Sequence, residues 1–292
     1  MKKVGVFIAA RWSGAKELLD SLRGALSEQV DEVWQTSSWD HSAAMEKIEG
    51  TDLIICLGGD GSMLWAARAI VPHAVPILGV NMGRLGFLAE IGPKELMELL
   101  PRVLAGEGRV EERAMLQAQV RAWGQTFQAL NDVVVGRSTA GRPVYLDASV
   151  DGRRLAVYRC DAVVVATATG STGYSLSAGG PILHPESRHI VLTPVAPHLV
   201  PGRPMVLPED AVIDLVVSME EGATVAIDGQ VNRSLESGDS VSVCRSPYVA
   251  RFLRLSDPAD YYGALAERLE WLKGINASEY PQTFEEKRGG PK

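Results

Sequence analysis

Short apolar runs alternate with amphipathic helical patterns up to about residue 108, and then the helical patterns stop. Val4 to Ala9 reads as a buried strand, and Ala15 to Ser27 sets Leu18, Leu19, Leu22 and Leu26 on one helical face. Val33-Trp34 is a weaker strand signal, and Asp40 is placed to cap a helix carrying Met45 and Ile48. Leu53 to Leu57 predicts a strand, Ser62 to Ile70 a helix, and Pro76 to Val80 another strand. Pro93 opens a helix with Leu96, Leu99 and Leu100. Strands alternating with helices predict an open, Rossmann-like α/β domain with a parallel sheet.

From about Val110 the texture is β-rich. Ala129 to Val135, Tyr145 to Val150, Ala162 to Ala166, Val212 to Val217 and Val241 to Val243 are β-branched runs separated by turn residues. Asp151-Gly152 between two runs is a hairpin signal. This half predicts a β-sandwich-like domain. Helical spacing returns after Asp257-Pro258, where Tyr261 to Lys273 carries Leu265, Leu269 and Leu272. The expected organisation is an α/β domain at 1–108, completed by 258–282, and a β-rich domain at 109–257. The charged, Gly/Pro-rich end, 283–292, is expected to be disordered.

Composition narrows the function classes. The net charge is -7, which argues against nucleic-acid polymers and anionic membranes as partners. Nothing approaches the ~18 apolar residues of a membrane span, and the N-terminal apolar stretch is too short for a signal-peptide core. Cys56, Cys160 and Cys244 are far apart and form no CxxC, so buried reduced thiols and a reducing cytoplasm are expected. Glycine is enriched, at 29 of 292 residues, against a usual share of ~7%.

Six segments could carry chemistry. Leu57-Gly58-Gly59-Asp60-Gly61-Ser62 lies between a strand and a helix, where open α/β sheets bind ligands. Its glycines permit close approach to a phosphate, and the helix start offers free N–H groups. Asp60 is the one ionisable group there, suited to accept a proton or bind a metal, though a lone Gly-Asp-Gly also serves as a plain turn. The spacing fits neither a P-loop nor a dinucleotide fingerprint. Gly79 to Leu88 follows the next strand and reads alone as a turn-rich connection. Asn131-Asp132 suits a base edge or a pair of hydroxyls, or an Asx-turn. Thr167 to Ser177 strings hydroxyls between glycines, ending in Gly179-Gly180-Pro181, and suits a polar ligand with ribose and phosphate groups. Pro197 to Pro208, with His198 and Arg203, and Ile227-Asp228-Gly229-Gln230 read singly as turns.

Taken together and in order, these segments resemble the NAD kinase family, which phosphorylates the adenosine 2′-hydroxyl of NAD to give NADP. The Gly-Gly-Asp-Gly loop alone is shared with phosphofructokinases and with lipid kinases. The run Thr169-Gly170-Ser171-Thr172-Gly173-Tyr174-Ser175-Leu176-Ser177 and the His198…Arg203-Pro204 segment are far more specific. The resemblance implies Asp60 as general base with Gly61 beside the substrate, and Asn131 and Asp132 on the adenine and ribose side. It implies Asp161 on the nicotinamide side, across a subunit interface, with Arg142 and Arg159 as basic contacts. Thr172, Gly173, Tyr174, Ser175, Leu176 and Ser177 would line the adenosine pocket, completed by Ala196 and Gln230. Gly173 replaces a common alanine and Ser62 a common threonine, both small changes. Mg²⁺, a donor that is ATP or polyphosphate, and assembly as a homodimer or homotetramer are implied as well. The competing readings are a lipid or sugar kinase with the same loop, and a non-catalytic NAD(P)-binding sensor, which need not keep Asp60.

Overall fold

The computed structural model describes residues 1–8, 15–37, 40–83, 86–139, 141–198, 202–218 and 222–269. Residues 1–255 form one compact unit. The N-terminal alternation appears as β1 (Lys3–Ile8), α1 (Ala15–Ser27), β2 (Glu32–Ser37), α2 (His41–Lys47), β3 (Leu53–Gly58), α3 (Asp60–Ala69), β4 (Pro76–Asn81) and α4 (Pro93–Leu104). The strands run in parallel in the order β2-β1-β3-β4. β3 is buried along its whole length, which is why it reads as an unbroken apolar run. Asp40 caps α2 by accepting the Ala43 N–H, as its position predicts. α3 begins at Asp60, two residues before the sequence signal.

The β-rich part contains β5 (Arg109–Val120), β6 (Gln125–Ala129), β7 (Asp132–Arg137), β8 (Val144–Val150), β9 (Arg153–Cys160) and β10 (Ala162–Ala166). A single helical turn, α5 (Tyr174–Ser177), precedes β11 (Ile190–Val195), β12 (Met205–Leu207), β13 (Ile213–Val217), β14 (Ala223–Ile227), β15 (Val231–Leu235) and β16 (Ser240–Arg254). Six strands form one antiparallel sheet in the order β12-β11-β10-β7-β14-β15. The others extend the parallel sheet, because β16 pairs with β5 along nearly its whole length, with β13 near its start and with β4 near its end. A register shift between Arg245 and Val249 lets one strand serve both halves. The valines and leucines of the two sheets meet in one core, including Val133, Val163, Leu192, Leu215 and Val243, so the β-rich part is a sandwich.

Two expectations change. The run Ala129 to Val135 is not one strand: the chain breaks at Leu130-Asn131, between β6 and β7. The helix expected over Tyr261 to Lys273 is α6 (Tyr261–Arg268), entered through a 3-10 turn whose Ala259 N–H donates to Asp257. Residues 270–292, with the expected tail, lie outside the described residues. Cys56 and Cys160 are buried and Cys244 is half-buried, all as free thiols.

Candidate active site

The first glycine loop leaves the carboxyl end of β3 and turns at once into α3, so Asp60 occupies the first helical position. Its side chain is held from the next loop. The Phe87 N–H donates to Oδ2 at 2.8 Å and the Leu88 N–H to Oδ1 at 3.0 Å. A Cβ at Gly86 would overlap the Asp60 carboxylate, so only glycine lets that loop come so close. Asn81, at the end of β4, braces the same loop by exchanging two hydrogen bonds with the Gly83 main chain.

A chain of polar contacts runs from this loop to the β sandwich. The Gln230 side-chain amide donates to the Gly61 carbonyl at 2.7 Å and accepts from Arg68, two turns along α3. The Arg68 guanidinium lies 3.6 Å from the Asp228 carboxylate. Asp228 and Gly229 both adopt positive φ, making the tight turn between β14 and β15. The buried Asp228 carboxylate accepts the N–H groups of Leu130 (3.0 Å), Asn131 (2.7 Å) and Asp132 (3.1 Å). These bonds draw the β6–β7 junction out of strand pairing, which is the physical reason for the break. Asp132 is pushed up to about 7, chiefly by burial and then by the neighbouring Asp228 charge. Burial also raises Asp228, against the three N–H donors and Arg68.

The hydroxyl-rich segment docks on the same junction. Thr167 donates its N–H to the Asn131 carbonyl (2.9 Å) and its hydroxyl to the Leu130 carbonyl (2.6 Å). A Cβ at Gly170 would overlap the Asn131 main chain. Most of the hydroxyls are already engaged by the protein itself. Ser171 donates to Ala168, Thr172 to Thr169, and the fully buried Ser175 pairs with Thr193. Ser175 therefore offers a ligand main chain only, while Tyr174, 43% exposed, and Ser177 face outward.

Families of known proteins match this arrangement. A model described as the ATP-NAD kinase N-terminal domain matches residues 2–108, and one described as the C-terminal domain matches residues 130–255. The chain belongs to the NAD kinase family. The NAD kinase of Dehalococcoides mccartyi is 38% identical over 283 residues, spanning 96% of this chain and 99% of that protein. The NAD kinase of Chloroflexus aurantiacus is 45% identical over 221 residues, 75% of this chain and 80% of that protein. The crystal structure of a yeast NADH kinase complexed with NADH has the same fold, with a TM-score of 0.84 at 22% identity over 95% of this chain and 90% of that one. An NAD kinase from Archaeoglobus fulgidus in complex with ATP superposes with a TM-score of 0.75 at 27% identity, over 92% and 98% of the two chains.

The residues that the NAD kinase resemblance singles out fall into two groups. Asp60, Gly61, Asn131, Asp132, Thr172 to Ser177 and Gln230 gather around the connections just described. Arg159, Asp161 and Ala196 lie at the opposite end of β10, where Ala162 pairs with Val195 and the His198 N–H donates to the Arg159 carbonyl. Arg142 precedes β8, whose Val144 pairs with Cys160, so it belongs to that far end as well. Six residue steps of strand separate Asp161 from Thr167, about 20 Å. At the far end Asp161 pairs with Arg137 at 3.5 Å, Arg159 lies over the Tyr145 ring, and Ala196 holds a positive φ of 46°. Arg68 and Asp228 carry the architecture of the site, yet sequence reasoning did not select them. The Asp-Gly pair at 228–229 was the available signal.

Proposed function

We propose that this chain transfers a phosphoryl group from ATP to the 2′-hydroxyl of the adenosine ribose of NAD, giving NADP. The observation that carries this reading is the unbroken contact chain from Asp60 through Gly61, Gln230, Arg68 and Asp228 to Asn131-Asp132 and Thr167. It ties a proton acceptor to the Asn131-Asp132 junction and the hydroxyl-rich segment docked on it. The solved neighbours, a yeast NADH kinase complexed with NADH and an archaeal NAD kinase in complex with ATP, support the acceptor and the donor. The curated relatives are NAD kinases and do not favour a lipid or sugar kinase.

Phosphoryl transfer needs positioning and charge neutralisation more than covalent help. Asp60 would take the 2′-hydroxyl proton as the new P–O bond forms, held in line by the Phe87 and Leu88 N–H groups. Asn131 and Asp132 would hold the adenine and ribose, with Tyr174 as a stacking face. No group of three or more His, Cys, Asp or Glu side chains suited to a metal occurs among the described residues. A Mg²⁺ carried by the donor phosphates would supply charge neutralisation, and Asp60 is the carboxylate of the glycine loop that could hold it.

We further propose that Arg142, Arg159 and Asp161 serve the nicotinamide side of a neighbouring copy, since β10 separates them from Asp60 in their own chain; Ala196, expected with Gln230 in the adenosine pocket, lies with them at that far end and would join the same subsite. Tyr145, Leu155 and Val157, exposed on β8 and β9, supply apolar surface for that assembly. Incubation with NAD, Mg²⁺ and ATP, followed by an assay for NADP, tests the function. Absence of NADP with both ATP and polyphosphate overturns it.

A further inference from the structure

Glu111 is a charged residue buried to 5% exposure at the junction of β5 and β16, in none of the six motif segments. Arg113 stands two residues on, on the same face of β5, and Arg254 comes from the end of β16. Both arginines are as deeply buried, at 5% and 6%. One Glu111 oxygen accepts from both: Arg113 Nε at 2.8 Å and Arg254 Nε at 3.0 Å. Arg109 donates to the other oxygen at 3.2 Å. The buried Phe252 ring lies beside both guanidinium groups, at 6.0 and 5.1 Å.

Each arginine has a second arm that leaves the cluster. Arg254 Nη1 donates to the Leu88 carbonyl at 2.7 Å, and the N–H of the same Leu88 donates to Asp60. Arg113 Nη1 donates to the Thr169 hydroxyl at 3.2 Å, and the Thr169 carbonyl accepts the Thr172 hydroxyl. One carboxylate thus anchors two arms that end on two separate loops. A buried charge cluster is costly to desolvate, and replacement by apolar residues is often neutral or stabilising. Stability alone therefore does not account for it.

We propose that Glu111, Arg113 and Arg254 are positioning residues that fix the Asp60-holding loop and the Thr169 loop relative to each other. The inference rests on the functional reading above, with Asp60 acting on NAD bound beside Thr172 to Ser177. The two arms then have separable effects. The Arg254 arm governs turnover, and the Arg113 arm governs NAD binding.

The test compares Arg254→Lys, Arg113→Lys and Thr169→Val in the full chain. Lysine keeps the charge beside Glu111 but cannot span two acceptors as a guanidinium does. Thr169→Val removes the far acceptor and leaves every buried charge in place. Arg254→Lys is expected to lower kcat roughly tenfold with the KM for NAD within about twofold. Arg113→Lys and Thr169→Val are expected to raise that KM roughly fivefold or more with kcat within about twofold. Amide hydrogen exchange should quicken over residues 86–90 in the first variant and over 168–177 in the other two. Equal changes in kcat and KM in all three, or exchange that quickens alike in both segments, overturn the proposal. If the lysine variants do not fold, Thr169→Val decides it: an unchanged KM for NAD, or exchange that quickens over 86–90 as much as over 168–177, overturns the proposal. A wild-type chain that makes no NADP refutes the functional reading instead, while the exchange pattern still tests the coupling of the two loops.

Discussion

Asp132 and Asp228 exchange main-chain and side-chain contacts across the β7–β14 junction. The Asp228 carboxylate accepts the Asp132 N–H at 3.1 Å, and the Asp228 N–H donates to the Asp132 carbonyl at 2.9 Å. Two buried carboxyl groups are thereby fixed side by side at the centre of the candidate site. Their own charges oppose each other, and Arg68 offsets only the Asp228 side.

This pair makes stability depend on pH. An unfolded aspartate titrates near ~3.9, whereas burial and the Asp228 charge push Asp132 in the fold up to about 7. Between these values the folded chain keeps a proton that the unfolded chain has lost. Stability therefore falls as pH rises through that window and levels off above it. The shift of Asp228 has the same direction and adds to the slope. Melting temperatures of wild type and Asp132→Asn across the window give the check: the variant should show a shallower fall. An identical slope in both would remove Asp132 as its source.

The grip of Phe87 and Leu88 on Asp60 predicts two different kinetic losses. Asp60→Asn removes the proton acceptor and also turns an NH2 donor toward one of the two main-chain N–H groups, so turnover should fall about a hundred- to ten-thousandfold while NAD still binds. Gly86→Ala keeps the acceptor but pushes a methyl group onto it. That variant should lose roughly tenfold or more in kcat through misplacement alone. Steady-state kinetics with calorimetric NAD titration separate the two. Near-normal activity in Asp60→Asn would end the general-base assignment.

Tyr174 is the outward ring of the hydroxyl-rich loop. Stacking of a base on an aromatic ring contributes on the order of 1–3 kcal/mol. Tyr174→Ala should therefore raise the KM for NAD about tenfold and change kcat much less. An unchanged KM would take Tyr174 out of the pocket.

Sequence patterns made some of this legible, and the reasons are local. The loop around Asp60 was readable because a strand, a glycine turn and a helix follow one another within a few residues. The hairpin at Asp151-Gly152 was readable for the same reason, and both residues adopt the positive φ that the turn requires. Asp228-Gly229 makes the same kind of turn. The role of its carboxylate depends on main-chain donors nearly a hundred positions earlier, which no local pattern encodes. Arg68 sits on a helix where one basic residue reads as a solvated face, and only the approach of Gln230 gives it a role. The hydroxyl run pointed to the right segment. Spacing could not tell Ser175, which braces Thr193, from Ser177, which faces outward.

The separation of Asp161 from Asp60 leads to a test by complementation. If the far end of β10 serves a neighbouring copy, each complete site combines Asp60 of one chain with Asp161 of another. Asp60→Asn and Asp161→Ala should then each be impaired alone. In a mixed pair, one site carries both defects and the other carries neither. Tandem purification keeps only the mixed pairs, each with one intact site of two, so about half of the wild-type rate should return. Co-expression of two differently tagged chains, tandem purification and an NADP assay measure it. Recovery no greater than the sum of the two single variants would mean that Asp161 acts within its own chain or not at all.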